Sequence, residues 1–141
     1  MVGIDRRSAL ALYAISLAAI PVLLPVNSAG AQSYGPDDGK EVAPGVRVVL
    51  LSQKPSHLSA YATISMRDMV FQPGSEIAGP AMRNDMVCHV LEGALFIDNG
   101  GEDQFDAPKG QVWACAKGQP ETAINRTDAV AIMRIIDLLE G

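Results

Sequence analysis

Side chains able to do chemistry are few in this sequence, and their types limit what that chemistry is. Histidine occurs twice, as His57 and His89, and cysteine twice, as Cys88 and Cys115; six residues are methionine. Imidazole beside a carboxylate supports acid–base work or a hard metal ion, whereas thioether and thiolate donors are soft and favour Cu(I). No Gly-x-Ser-x-Gly elbow accompanies the histidines, and neither a phosphate loop nor a dinucleotide fingerprint occurs. Arg67, Arg83, Arg126 and Arg134 are separate charges rather than a cluster.

The elements that must position these groups belong to one domain. The chain has 141 residues, a formal net charge of −5, 48% apolar and 19% charged residues, 13 Gly and 9 Pro. An acidic chain without grouped Lys and Arg is a poor partner for nucleic acid or anionic lipid. The apolar share excludes general disorder, and the Gly and Pro suit a turn-rich β protein.

The first 31 residues are expected to be a signal peptide. Arg6 and Arg7 form a positive start, residues 8–25 are apolar, and Ala29-Gly30-Ala31 has the small-x-small pattern of a cleavage site. An uncleaved span needs about 20 apolar residues; this run is shorter and is interrupted by Pro21, so no stable membrane anchor is expected after cleavage. Export to the periplasm follows, by the general or the twin-arginine route. Residues 32–45, with Pro36, Pro44 and three glycines, are expected to be a flexible arm.

From Val46 to Gly141 short apolar runs alternate with turns. The runs are 46–51, 60–71, 86–92, 94–98, 111–116 and 129–138, and Asn99-Gly100 after one of them predicts a hairpin of type I′. The last run is expected to be a strand that could end as a helical turn over 137–141. Many short strands at this spacing predict an all-β sandwich or barrel.

Residues 74–125 resemble the two motifs of the cupin family. In the first motif a Gly is followed by His-x-His, a Glu and a second Gly; here Gly74 and Gly93 stand at that spacing. In the second a Gly is followed by Pro-x-Gly, a His and an Asn; here Gly110, Gly118 and Asn125 match, with Ala116 in place of Pro. The resemblance implies a cupin-type double-stranded β-helix, or jelly-roll barrel, over 46–141, and a homodimer. The family's four metal-ligand positions hold Pro80, Met82, Met86 and Glu121. Iron and manganese need imidazole and carboxylate ligands, so the usual metal chemistry is not expected.

If Met86 points into the barrel as the family's Glu does, alternation sends Cys88 inward with it and His89 to the other face. The pocket candidates are then Met82, Met86, Cys88 and Glu121, with Cys115 near the second motif. These residues are expected to pack a core or a ligand pocket; as a soft-metal site Met82, Met86, Cys88 and Glu121 would hold copper. Alternatively Cys88 and Cys115 lie on runs that could be barrel neighbours, and a disulfide there would stabilise the fold by about 3.5 kcal/mol. Pairing and two free buried thiols both stay open. A one-residue bulge would instead bring Asp85 and His89 inward as an acid–base pair. Arg83, between two ligand-position equivalents, is expected at the barrel rim, and His57 in solvent.

Three functions are compatible with these residues: a barrel that binds a small, largely apolar molecule, a copper-binding barrel, or an enzyme with a rearranged site of Glu121, Asp85 and His89.

Overall fold

The computed structural model describes residues 34–141; the signal peptide expected over 1–31 lies outside them. Ten strands follow in order: β1 (Lys40–Ala43), β2 (Val46–Pro55), β3 (Thr63–Phe71), β4 (Glu76–Gly79), β5 (Asp85–Glu92), β6 (Ala94–Asp98), β7 (Gln104–Pro108), β8 (Val112–Cys115), β9 (Glu121–Ile124) and β10 (Ala131–Leu139). No helix among the described residues is long and apolar enough to cross a membrane.

The strands form two antiparallel sheets, one ordered β1-β2-β3-β10-β5-β8 and one ordered β4-β9-β6-β7. Apolar residues at every second position face the space between the sheets, as half-buried strands require. Phe71 and Met69 of β3, Val90 and Cys88 of β5, Leu95 and Ile97 of β6, and Met133 and Ile135 of β10 make this core.

Six of the ten strands coincide with the apolar runs. The other four (β1, β4, β7 and β9) have four or five residues each. Their buried apolar positions are the small residues Ala107 and Ala123, which leave little apolar pattern to detect. Part of the segment expected to be a flexible arm is therefore ordered. Lys40–Ala43 pairs with β2, and Tyr34 donates its hydroxyl to Asp68 at 2.6 Å.

The hairpin expected at Asn99-Gly100 joins β6 to β7, but it is not a type I′ turn. Its loop runs from Asn99 to Asp103, closed by Asn99 N–H donating to Asp103 O at 2.9 Å, and only glycines among the described residues have positive φ. Asn99 instead turns its amide onto the Asp103 carboxylate. The chain end is strand to Leu139, paired with β3; no helical turn forms at 137–141.

The glycines at the motif positions are turn residues. Gly74, Gly93, Gly110 and Gly118 have φ of 75°, 68°, 92° and 86°. At Gly93 a Cβ would also stand 2.7 Å from the Val130 carbonyl oxygen, so any side chain there is opposed by both the backbone angle and a fixed neighbour.

Two ion pairs lock β3 to β10 from opposite faces. Arg134 grips Asp68 with Nε at 2.8 Å and Nη2 at 2.9 Å on the outer face, where Asp68 is fully buried. On the inner face Arg67 holds Asp137 through Nε at 2.7 Å and Nη2 at 3.2 Å, and Asn84 adds a bond to Asp137 at 3.0 Å.

Candidate functional site

One cavity of about 140 Å³ opens between the sheets. The long strands supply its floor: Met69 and Met133 stand directly opposite one another on β3 and β10, with Arg67 and Ile135 as the next inward pair. β4 contributes Ile77, Ala78 and Gly79; β9 contributes Glu121 and Ala123; Met86 comes from the start of β5.

Met82 is held from the loop before β5. Its N–H donates to Gln119 O at 2.9 Å, and its carbonyl accepts from Gly118 N–H at 2.8 Å. Its methyl group lies so close to Gly79 that a Cβ there would overlap it. Gly79 therefore matters for the room it gives the methionine.

Glu121 opens β9 opposite Gly79 and is 6% exposed. Its Oε2 accepts from Trp113 Nε1 at 2.9 Å and from the Cys115 thiol at 2.7 Å. Both donors thus engage one oxygen and leave Oε1 without a hydrogen-bond partner among the described residues. No buried side-chain oxygen among the described residues lacks a partner, so Oε1 is the oxygen left accessible, and a ligand donor in the cavity would bond it.

Three of the expected pocket residues, Met82, Met86 and Glu121, line this cavity; Cys88 does not. Cys88 faces inward but sits one strand pair deeper, fully buried opposite Trp113 and Ile135. Its contact with the Cys115 thiol, its burial and the Glu121 charge push its thiol far above the ordinary range. A soft-metal set that counts on a Cys88 thiolate is therefore corrected: that group neither reaches the cavity nor ionises readily.

The two cysteines are free thiols, so the structure contains no Cys88–Cys115 disulfide. Met86 is the residue opposite Cys115, and Cys88 is opposite Trp113. The cysteines are thus diagonal neighbours rather than a directly opposed pair. The Cys115 thiol is engaged with Glu121 instead.

Asp85 and His89 also lie off the site. β5 pairs with β8 without interruption from Met86 to His89, and its one register shift against β10 falls beyond Val90. No bulge turns these residues inward, and strand alternation sends both to the outer face. Asp85 accepts the Tyr61 hydroxyl at 2.6 Å and the Lys117 N–H at 2.8 Å, which hold its carboxyl below the usual range. His89 stands beside Arg134 and Val112. His57 is exposed in the loop after β2. Arg83 lies by Lys117 and the chain end, outside the cavity; the arginine that lines it is Arg67.

Sequence reasoning missed Arg67, Met69 and Met133. They fall on long strands that no motif marks, but alternation from buried Phe71 would place Met69 and Arg67 on the inner face.

A hard metal ion does not fit these residues. The cavity offers thioethers and one carboxylate but no imidazole, and no group of three or more His, Cys, Asp and Glu side chains suited to a metal exists among the described residues.

No protein-family model and no curated protein matches the sequence. Solved structures do match by fold. A cupin superfamily protein of Desulfitobacterium hafniense DCB-2 is 14% identical over 72% of this chain and 84% of its own, with a TM-score of 0.55. KdgF of a Halomonas species is 14% identical over 72% and 86%, with a TM-score of 0.57. An oxalate oxidase is 19% identical over 76% of this chain and 58% of its own, with a TM-score of 0.55. At such identities the likeness concerns the fold. The paired sheets, the turn glycines and these neighbours together show that the chain has the cupin-type fold, a double-stranded β-helix.

Proposed function

We propose that this cupin binds a small, largely apolar molecule in the methionine-lined cavity. The observation that carries the reading is the combination in one cavity of four thioether side chains with a buried carboxylate whose Oε1 is unbonded. Pockets of this kind fix orientation with a few polar groups on an apolar lining. At about 140 Å³ the cavity approaches the size of an engineered apolar cavity of about 150 Å³ that admits benzene. The ligand is therefore a molecule of about six non-hydrogen atoms, or a longer one that protrudes.

Trp113 is the single tryptophan of the chain, and its indole N–H is bonded to Glu121. Its emission should report occupancy. Titration with 1-pentanol is expected to shift Trp113 emission with one-site saturation. A linear, unsaturable response would contradict the reading.

The copper reading keeps Met82, Met86 and Glu121 and loses Cys88; the cavity adds the thioethers Met69 and Met133. Against it, Arg67 Nη1 donates to the Met69 sulfur at 3.8 Å, which engages one of the four thioethers. The rearranged-enzyme reading loses Asp85 and His89 to the outer face and retains Glu121 alone.

The leader in the sequence supports export, and the outer face of the six-stranded sheet supports a homodimer. Met66, Ile136 and Val87 form one apolar row across β3, β10 and β5, and Ile64 and Leu138 stand in the next row. Sedimentation equilibrium is expected to give twice the chain mass; a monomer at tens of micromolar would contradict it.

A further inference from the structure

We propose that the molecule bound in this cavity carries a single positive charge, as a small alkylammonium, and that Glu121 is its counter-ion. The inference rests on the cavity reading above and adds the ligand's charge class. Glu121 is 94% buried, since only 6% of it is exposed. No Lys, Arg or His forms an ion pair with it among the described residues. Its two hydrogen-bond donors, an indole N–H and a thiol, are uncharged and share Oε2.

The one basic residue of the lining does not balance it. Arg67 is committed to Asp137 through two hydrogen bonds, so those two charges cancel. The cavity therefore keeps one negative charge without a partner, in surroundings that screen it weakly. A carboxylate ligand would add a like charge to it. A neutral alcohol would satisfy the hydrogen bond at Oε1 and leave the charge. An ammonium group satisfies both, and thioethers are polarisable enough to pack against its methylene groups.

Calorimetric titration of the wild-type protein with three probes of matched length tests this: n-pentylammonium, 1-pentanol and pentanoate. The ammonium is expected to bind at least tenfold more tightly than the alcohol, and pentanoate more weakly than either. Glu121→Gln is expected to remove the ammonium's advantage over the alcohol. Alcohol binding as tight as ammonium binding in the wild type would overturn the charge assignment and leave the cavity reading in place. Failure of all three probes to bind would overturn both. Near-stoichiometric copper in protein prepared without chelator, displacing pentylammonium, would show that a soft metal supplies the positive charge and would overturn the organic ligand. Because the wild-type comparison decides the matter alone, a Glu121→Gln chain that fails to fold does not rescue the proposal.

Discussion

Arg134→Met is expected to lower the unfolding free energy by about 3 kcal/mol, near the bottom of the range of roughly 3–5 kcal/mol found when one partner of a buried ion pair is removed. Asp68 is fully buried, and Arg134 supplies both of its charged hydrogen bonds. Without the guanidinium the carboxylate keeps one donor, the Tyr34 hydroxyl. Burial and the bond to Asp68 push that hydroxyl's pKa from 10.0 up to about 12. It therefore remains a neutral donor at ordinary pH and cannot replace the lost charge. The Arg134 side chain is 28% exposed, which places the expected loss at the low end. Adding Asp68→Asn removes the orphaned charge, so the double variant should be more stable than Arg134→Met by about 2 kcal/mol. Urea unfolding of the three proteins measures both differences. A loss below about 1 kcal/mol for Arg134→Met would show that the pair does not hold β3 to β10.

Asn125→Ala should cost a similar amount, about 3 kcal/mol, through unmade hydrogen bonds rather than charge. Asn125 is fully buried at the end of β9. Its amide group donates to the carbonyls of Ala129 at 2.7 Å, Phe71 at 3.2 Å and Gln72 at 3.3 Å. Its Oδ1 accepts from Thr127 N–H at 3.0 Å and from the Thr127 hydroxyl at 2.8 Å. One side chain thus ties the end of β3 to the loop after β9, while the Asn125 main-chain carbonyl separately accepts the Gly74 N–H. Alanine leaves the buried Phe71 carbonyl without this donor and removes the bonds to Gln72, Ala129 and Thr127. Asn125→Asp is expected to be at least as harmful, because it turns a carboxylate oxygen toward the carbonyls. Chemical denaturation of both variants is the check; an alanine variant within about 1 kcal/mol of wild type would contradict this role.

The positions that proved legible in the sequence are those where the backbone leaves no choice. Gly93 must adopt positive φ next to the Val130 carbonyl, and the fully buried Asn125 bonds several main-chain groups at once. Such requirements belong to the fold and not to the chemistry of a site, which is why the turn glycines identified the fold although Pro80, Met82, Met86 and Glu121 stand at the motif's ligand positions. Short strands built on alanine were not legible, because Ala107 and Ala123 carry too little apolar signal.

The site was legible only in part. Met82, Met86 and Glu121 reach the cavity because the motif spacing fixes their places on the barrel. Cys88 shares the face of Met86, but alternation gives a face and not a depth, and depth is what keeps Cys88 out of the cavity. Arg67, Met69 and Met133 come from strands distant in sequence, and their meeting depends on the register of β3 with β10. The hydrogen bonds that leave Glu121 Oε1 free also depend on register, since they bring Trp113 and Cys115 from β8 to the same oxygen.

The most direct measurement is a crystal structure of the protein grown with 1-pentanol. The expected result is one ordered alcohol in the cavity, its hydroxyl about 3 Å from Glu121 Oε1 and its carbon chain against Met69, Met86 and Met133. Methionine side chains collapsed into the space, with the alcohol bound elsewhere or not at all, would contradict the account of this barrel as a small-molecule site.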